Sequence, residues 1–244
     1  MNLSNNTILI TGGATGIGFA MVKRFAKAGN KVIICGRRAS ALKEAKQQVP
    51  SLETLRCDVS KETQRIRLFE TVKRDFPKLN VLVNNAGIQN HPPEMAKRQD
   101  WKQYEQEIAI NFEAPLHLTL LFACHLAAKK SSALINVTSG LAFIPIATIA
   151  CYCATKAALH SLTLSTRKQL EGTSIEVIEI APPAVNTDLG GKGMHDFGVP
   201  LDEFADHVFE RLRAGDQQIA YGFAEEAMSA TPAEFKKIFE RMNS

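Results

Sequence analysis

Apolar and polar positions along the chain follow two alternating periods. Thr7 to Thr11 (TILIT) is a continuous apolar, β-branched run that stops at a glycine turn, as a strand covered on both faces does. From about Ile17 to Ala28 the apolar residues recur at helical spacing, and Gly29 supplies the stop. The pair then repeats: Lys31 to Gly36 reads as strand, Ala39 to Val49 as helix, LETLRC ending at Cys57 as strand, about Lys61 to Phe76 as helix, and VLVN from Val81 as a fourth strand. The second half predicts a helical region from about Asp100 to Lys130 that Pro115 bends or divides. A fifth strand in ALINVTS, a helix from Tyr152 to Leu170 and a sixth strand in SIEVIEIA follow.

Past Pro183 the pattern loosens. Asn186 to Val199 holds four glycines and predicts a mobile loop, placed at about 186–200 on the substrate side. A helix over Leu201 to Ala214, a seventh strand in QQIAYG and a final helix with Thr231 as cap and Pro232 behind it complete the series. Strand and helix alternate with short connections and without an internal repeat or a linker. This predicts one α/β domain over 1–244, a doubly wound parallel β-sheet with helices on both faces and seven strands.

Composition narrows the partners. The 244 residues carry 29 basic and 25 acidic side chains, and the +4 excess is spread along the chain. With no block of like charge and no zinc-finger spacing, no nucleic-acid partner is expected. The most apolar stretches, LHLTLLFACHLAA and LAFIPIATIA, are too short or too interrupted for a bilayer of about 30 Å, so no membrane partner is expected. The five cysteines form no C-x-x-C pair and the first residues show no targeting pattern. Reduced thiols in the cytoplasm are the expectation.

Candidate chemistry begins at T-G-G-A-T-G-I-G, between the first strand and the first helix. Gly12, Gly16 and Gly18 permit a tight turn and bring backbone N–H groups and a helix N-terminus close to a pyrophosphate. Phe19 and Ala20 stand where an ATP-binding phosphate loop needs Lys and Ser/Thr, which disfavours ATP hydrolysis. The second strand ends in Gly36, Arg37 and Arg38 instead of an acidic residue for the ribose hydroxyls. A 2′-phosphate could sit beside Arg37, so NADP(H) is favoured and NAD(H) remains possible. Asp58, after the third strand, could accept from the adenine amino group or cap a helix; the sequence leaves both open.

Tyr152 and Lys156 lie four apart on one helical face, where an ammonium could stabilise a phenolate. Ser139 stands at the C-terminal rim of the fifth strand, placed to hold a carbonyl oxygen while Tyr152 donates its proton and the nicotinamide its hydride. Asn111 could hold a relay water or satisfy a backbone group. His117 and His125 are not a convincing metal constellation, so no metal site is expected. His195 is expected at the surface or in a local loop contact, and Cys151 and Cys153 are expected to pack without a catalytic role.

Through ILITGG, KVIICGR, LNVLVNNAGIQ, VTSGLAF, YCATKAALHS and VIEIAPP the chain resembles the short-chain dehydrogenase/reductase family, and within it the DltE-type oxidoreductases. The agreement is strongest from Thr7 to Thr187. The resemblance implies a Rossmann-like fold and a reversible NAD(P)-dependent reaction on a small or medium carbonyl or alcohol. It makes Tyr152 the acid/base, with Lys156 binding the nicotinamide ribose and lowering the Tyr pKa. Ser139 would polarise the substrate and Asn111 support the water relay. The cofactor would meet Gly12, Thr15, Gly16, Ile17, Gly18, Arg37, Arg38, Asp58, Val59, Asn84, Asn85, Ala86, Gly87, Tyr152, Lys156, Pro182 and Thr187.

Two departures stand out. Pro182-Pro183 replaces the family's Pro-Gly, which puts in question the backbone near the nicotinamide. YGFAEEAMSATP replaces the glycine-rich segment after the seventh strand, so a homodimer is expected, with a tetramer possible. The competing functions are an epimerase or dehydratase of the same fold and a non-catalytic NADPH-responsive binding protein. Substrate contacts are expected from Ile88 to Met95, Leu141 to Pro145 and the loop after Asn186, a partly apolar lining.

Overall fold

The computed structural model describes residues 1–244. Its strands are β1 (Thr7–Thr11), β2 (Lys31–Gly36), β3 (Glu53–Arg56), β4 (Val81–Asn84), β5 (Ser132–Val137), β6 (Ile175–Ala181) and β7 (Gln218–Ala220). They form one sheet in the order β3-β2-β1-β4-β5-β6-β7, and every pair is parallel. The connecting helices are α1 (Gly16–Lys27), α2 (Ala39–Gln48), α3 (Glu62–Asp75), α4 (Trp101–Ile108), α5 (Ala114–Ala127), α6 (Ala150–Gln169), α7 (Leu201–Ala214), α8 (Phe223–Ser229) and α9 (Pro232–Asn243). The chain runs outward from β1 to β3, then returns to β4 on the other side of β1. That reversal opens a crevice at the C-terminal ends of β1 and β4, where an α/β sheet takes its ligands.

Each face of the sheet carries its own core. On one, Ile8, Ile10, Val32 and Ile34 pack with Phe25 and Phe209, whose rings meet edge to face at 4.6 Å. On the other, Leu9, Ile33, Leu82 and Leu134 pack with Leu118 and Phe122 of α5. Strands fully covered on both sides need no polar alternation, hence the unbroken apolar runs.

Four sequence expectations are revised. The region from Asp100 to Lys130 is one helical run, Trp101–Ala127, long and apolar enough to cross a membrane by length and composition. It exceeds the apolar stretch recognised in the sequence because polar α4 continues into it, yet Leu118, Phe122 and Leu126 bind it to the sheet. Its interruption is a π-helical turn over Ala109–Glu113 that ends just before Pro115. Proline removes an N–H donor, and the ladder accommodates it by widening. Helix α6 starts at Ala150, two residues earlier than expected, after a 3₁₀ turn over Ala147–Ile149. The segment after β7 forms α8, whose Ala224 packs on the Ser139–Gly140 turn: a Cβ on Gly140 would lie 3.0 Å from its Cβ.

Candidate active site

At the crevice, the turn after β1 is shaped by glycine. Gly12 and Gly16 have φ of +64° and +55°, a region costly for other residues. A Cβ on Gly18 would stand 2.5 Å from Asn85 Nδ2 and 2.6 Å from the Gly12 carbonyl oxygen. The turn is therefore a cradle that one methyl would fill. Thr15 makes no side-chain cap to α1, leaving the first amides of that helix for an anion. Thr187, at the start of the loop after β6, faces Gly16, its Cγ2 lying 3.5 Å from where a Cβ would be.

The Asn84–Gly87 segment after β4 is bonded to the glycine turn. Thr11 Oγ1 accepts from the N–H groups of Asn85 and Ala86, both at 3.0 Å. Asn85 Nδ2 donates to the carbonyls of Thr11 and Gly12 at 2.9 and 3.2 Å. Asn84 instead turns into the sheet: its Nδ2 donates to Asn136 Oδ1 at 2.9 Å, and Asn136 Nδ2 donates to Thr163 Oγ1 at 2.9 Å. Asn84 Oδ1 is buried with no partner. Ile17 lies between Gly16 and Gly18 in the first turn of α1.

Arg37 and Arg38 are exposed at the end of β2. It is Arg38 whose guanidinium reaches the glycine turn, 3.4 Å from Thr15 Oγ1. Asp58 Oδ1 accepts from the backbone N–H of Ser60 at 3.0 Å and from its hydroxyl at 2.8 Å, so a local turn occupies one oxygen of the carboxylate. Val59 is placed by a residue the sequence did not single out. Arg65, 5% exposed, donates to the Val59 carbonyl at 2.7 Å and to His117 Nδ1 at 2.9 Å. His125 bonds the Leu79 carbonyl at 3.0 Å, so the two histidines serve different partners.

Asn111, Ser139, Tyr152 and Lys156 are all buried. Ser139 follows β5 and its Oγ accepts from the Leu141 N–H at 3.1 Å. Pro182 holds the same turn, its carbonyl accepting from the Gly140 N–H at 2.8 Å. Lys156 Nζ lies 5.7 Å from the centre of the Tyr152 ring and donates to the Val137 carbonyl at 2.8 Å. Asn111 sits in the π turn; its Oδ1 accepts from the Ile88 N–H and its Nδ2 donates to the Ile88 carbonyl, both at 2.9 Å. These two bonds satisfy the Ile88 backbone. Gly87 separates the amide from the ammonium: a Cβ there would be 3.5 Å from Asn111 Oδ1 and 3.7 Å from Lys156 Nζ.

Burial governs the electrostatics. It pushes the Tyr152 phenol up, with the Ser139 hydroxyl pulling it back in part, and it pushes the Lys156 ammonium down to about 8, opposed by Glu107. At Tyr152, Cys153 and Glu107 add to the rise that burial causes. Glu107 itself was not among the sequence candidates. A Glu on a helix with a polar face ordinarily points to water, and only its spacing of four from Asn111 hinted otherwise.

The segments that follow β5 and β6 are each tied down. Asn243 at the end of α9 accepts from the Ala147 N–H at 2.6 Å and donates to the Pro145 carbonyl at 3.2 Å. The loop after β6 is tied at its base by a parallel bridge between Val185 and Val199. Gln89, 6% exposed, has a buried Oε1 without a partner, 3.3 Å from where a Cβ on Gly190 would be. His195 lies in a local contact with Phe197, their rings 6.0 Å apart. Cys153 exchanges weak hydrogen bonds with Ile146, a packing role.

A family model described as short chain dehydrogenase matches residues 6–196. The uncharacterized oxidoreductase DltE of Bacillus subtilis is 45% identical over 249 residues, covering 100% of this chain and 99% of that protein. Among solved structures, a short chain dehydrogenase from Burkholderia cenocepacia in complex with NADP superposes with a TM-score of 0.86 at 22% identity, covering 100% of both chains. A short chain dehydrogenase/reductase from Burkholderia phymatum in complex with NAD gives a TM-score of 0.85 at 18% identity, covering 100% of this chain and 97% of that one.

Proposed function

Since the chain belongs to the short-chain dehydrogenase/reductase family and is an oxidoreductase of that kind, we propose that it reduces a small or medium carbonyl compound with NADPH, reversibly, with Tyr152 as the acid/base. The observation that carries this reading is the gathering of Ser139, Tyr152 and Lys156 in a buried corner beside the glycine cradle. The cradle's clearance suits a dinucleotide pyrophosphate, with Gly12, Thr15, Gly16, Ile17 and Gly18 around it. Asn84 to Gly87, Pro182 and Thr187 would close over the nicotinamide half, and Asp58 and Val59 would border the adenine. Arg37 and Arg38 would face a 2′-phosphate, which an acidic residue would repel; NADP in the Burkholderia cenocepacia structure is consistent with this, and NAD in the Burkholderia phymatum structure keeps NAD(H) in view.

When bound, the dinucleotide supplies the hydride. The chain does the rest. Ser139 Oγ holds the substrate oxygen, and the Tyr152 hydroxyl gives that oxygen its proton as the carbonyl carbon gains hydride, leaving a tyrosinate. Lys156 would hold the ribose, stabilise the tyrosinate and, with Asn111, feed the replacement proton. Oxidation runs the same steps backward. Turnover with Tyr152→Phe, set against NADPH binding by the same variant, tests the assignment.

A second copy of the chain is part of this proposal: α5 and α6 leave Leu120 and Leu164 exposed, apolar positions suited to a homodimer. Five free cysteines, three of them buried, fit a reducing compartment, which we take to be the cytoplasm.

A further inference from the structure

Ser139 and Tyr152 reach the site from different elements, the rim of β5 and α6. One buried side chain joins the two. Glu179 of β6 is 1% exposed, and donors from the end of β5, from α6 and from β7 converge on its carboxylate. Thr138, the residue before Ser139, donates from Oγ1 to Glu179 Oε1 at 2.8 Å. His160, eight residues after Tyr152 and four after Lys156 on α6, bonds Oε1 and Oε2 through Nδ1 at 2.9 and 3.0 Å. Gln218 Nε2 donates to Oε2 at 3.2 Å. The His160 ring lies 4.6 Å from that of Phe143, so the bridge touches the chain on both sides of Ser139. Between them, Leu141 packs on the cluster of Ile149, Tyr152 and Cys153. Lys156 and Thr163 also tie α6 to β5, at Val137 and Asn136, and the Glu179 bridge is the one that ends beside Ser139.

We infer that Glu179 is a positioning residue of this site: through Thr138 and His160 it fixes the Ser139 turn against the helix that carries Tyr152 and Lys156. The inference rests on the proposed reaction only for its effect on turnover. A buried carboxylate is costly where an apolar side chain would fill the same space, so packing alone gives no reason for an acid here. Alignment of two reacting groups does give one, since a displacement of about 1 Å can cost a hundredfold in rate. A carboxylate only accepts, so His160 carries its proton on Nδ1. Thr138 and His160 share Oε1, and an amide oxygen in that place could take both bonds. The role is therefore one of geometry and not of charge.

The test compares Glu179→Gln, which keeps the shared acceptor, with Glu179→Leu, which removes it, in the full chain with and without Ser139→Ala. The first readout needs no substrate: the NMR lines of ring-labelled Tyr104, Tyr152 and Tyr221, with Tyr152→Phe identifying the line of interest. Glu179→Leu and Ser139→Ala should each move the Tyr152 line, and Glu179→Gln should leave it in place. In the Ser139→Ala background, Glu179→Leu should add little. The second readout is reduction of benzaldehyde by NADPH. There Glu179→Leu should lower kcat about tenfold or more at an unchanged NADPH Kd, Glu179→Gln should stay within about threefold, and the loss should disappear in the Ser139→Ala background. An unmoved Tyr152 line in Glu179→Leu, equal damage from Glu179→Gln and Glu179→Leu, or a loss of the same size in both backgrounds overturns the inference. If Glu179→Leu does not fold, Thr138→Val, which deletes only the hydroxyl at the other end of the bond, takes its place with the same deciding outcomes. Absence of benzaldehyde turnover bears on the proposed reaction alone and leaves the Tyr152 line to decide this inference, so the two failures are distinguishable.

Discussion

Replacing Lys156 with Met should make the folded chain more stable at neutral pH while destroying its chemistry. The ammonium is 4% exposed, and burial brings it from an ordinary lysine value of 10.5 to about 8. At 1.36 kcal/mol per unit, that is about 3 kcal/mol held against the folded state wherever lysine is charged in both states. Met fits the same volume without that term but gives up the bond to the Val137 carbonyl, costing about 1–2 kcal/mol if the carbonyl stays dry. A net gain of about 1–2 kcal/mol at pH 7 is expected, or roughly 3–6 °C in Tm for a chain of this size. The sign with pH follows from proton counting. Between about 8 and 10.5 the unfolded lysine binds a proton that the folded one has released, so wild-type stability rises with pH through that window. The variant lacks this gain, and its advantage should shrink and vanish by about pH 10. Melting curves of both proteins at three pH values across the window measure it, with turnover beside them. A variant that melts below wild type at pH 7, or keeps a constant margin to pH 10, refutes the reasoning.

Tyr152→Phe is expected to lose nearly all turnover while holding NADPH with little change in Kd by fluorescence titration; near-wild-type turnover would remove Tyr152 from its role. Arg37→Ala and Arg38→Ala should each weaken NADPH binding by about 1–2 kcal/mol and leave NADH nearly unaffected, as loss of one charge-assisted contact to a phosphate predicts; unchanged discrimination between the two cofactors would reject the pair. Gly18→Ala should destabilise by about 2–4 kcal/mol, through overpacking against the Gly12 carbonyl and disturbance of the Asn85 bonds, and should weaken dinucleotide binding. Gly36→Ala, whose Cβ would meet only Leu42 Cδ2 at 3.7 Å, is the control for that melt.

The sheet was legible because strands such as TILIT and KVIICG are covered on both faces, so burial wrote itself into composition. Gly12–Gly18, Asn84–Gly87 and Ser139 were legible for a related reason, since each follows a strand at the same rim, and Tyr152 and Lys156 were legible from their spacing of four on one helix. The rest depends on tertiary context that local pattern does not encode. Helix α8 starts at Phe223, after Gly222 with no side-chain cap, and is only seven residues long, so nothing marks its beginning. Arg65 and Glu107 are charged residues on helices, and only the packed neighbours reveal that they point inward. Asn243 reaches Pro145 across 98 positions of sequence, beyond any periodicity. The rotamer that brings Arg38 to Thr15 Oγ1 is likewise beyond what the sequence encodes.

The π turn over Ala109–Glu113 has a consequence for engineering. One residue added to an α-helix rotates everything before it by about 100° relative to everything after. Leu118 and Phe122 face the sheet from one side of that step, while Gln103 and Glu107 face the Ile88–Asn90 strip from the other. Deleting a single residue there would restore ordinary helical winding, leave the sheet-side packing in register and swing the upstream half away from the strip. Scaffold and chemistry are thus joined through one coil of backbone, and that coil itself carries Asn111.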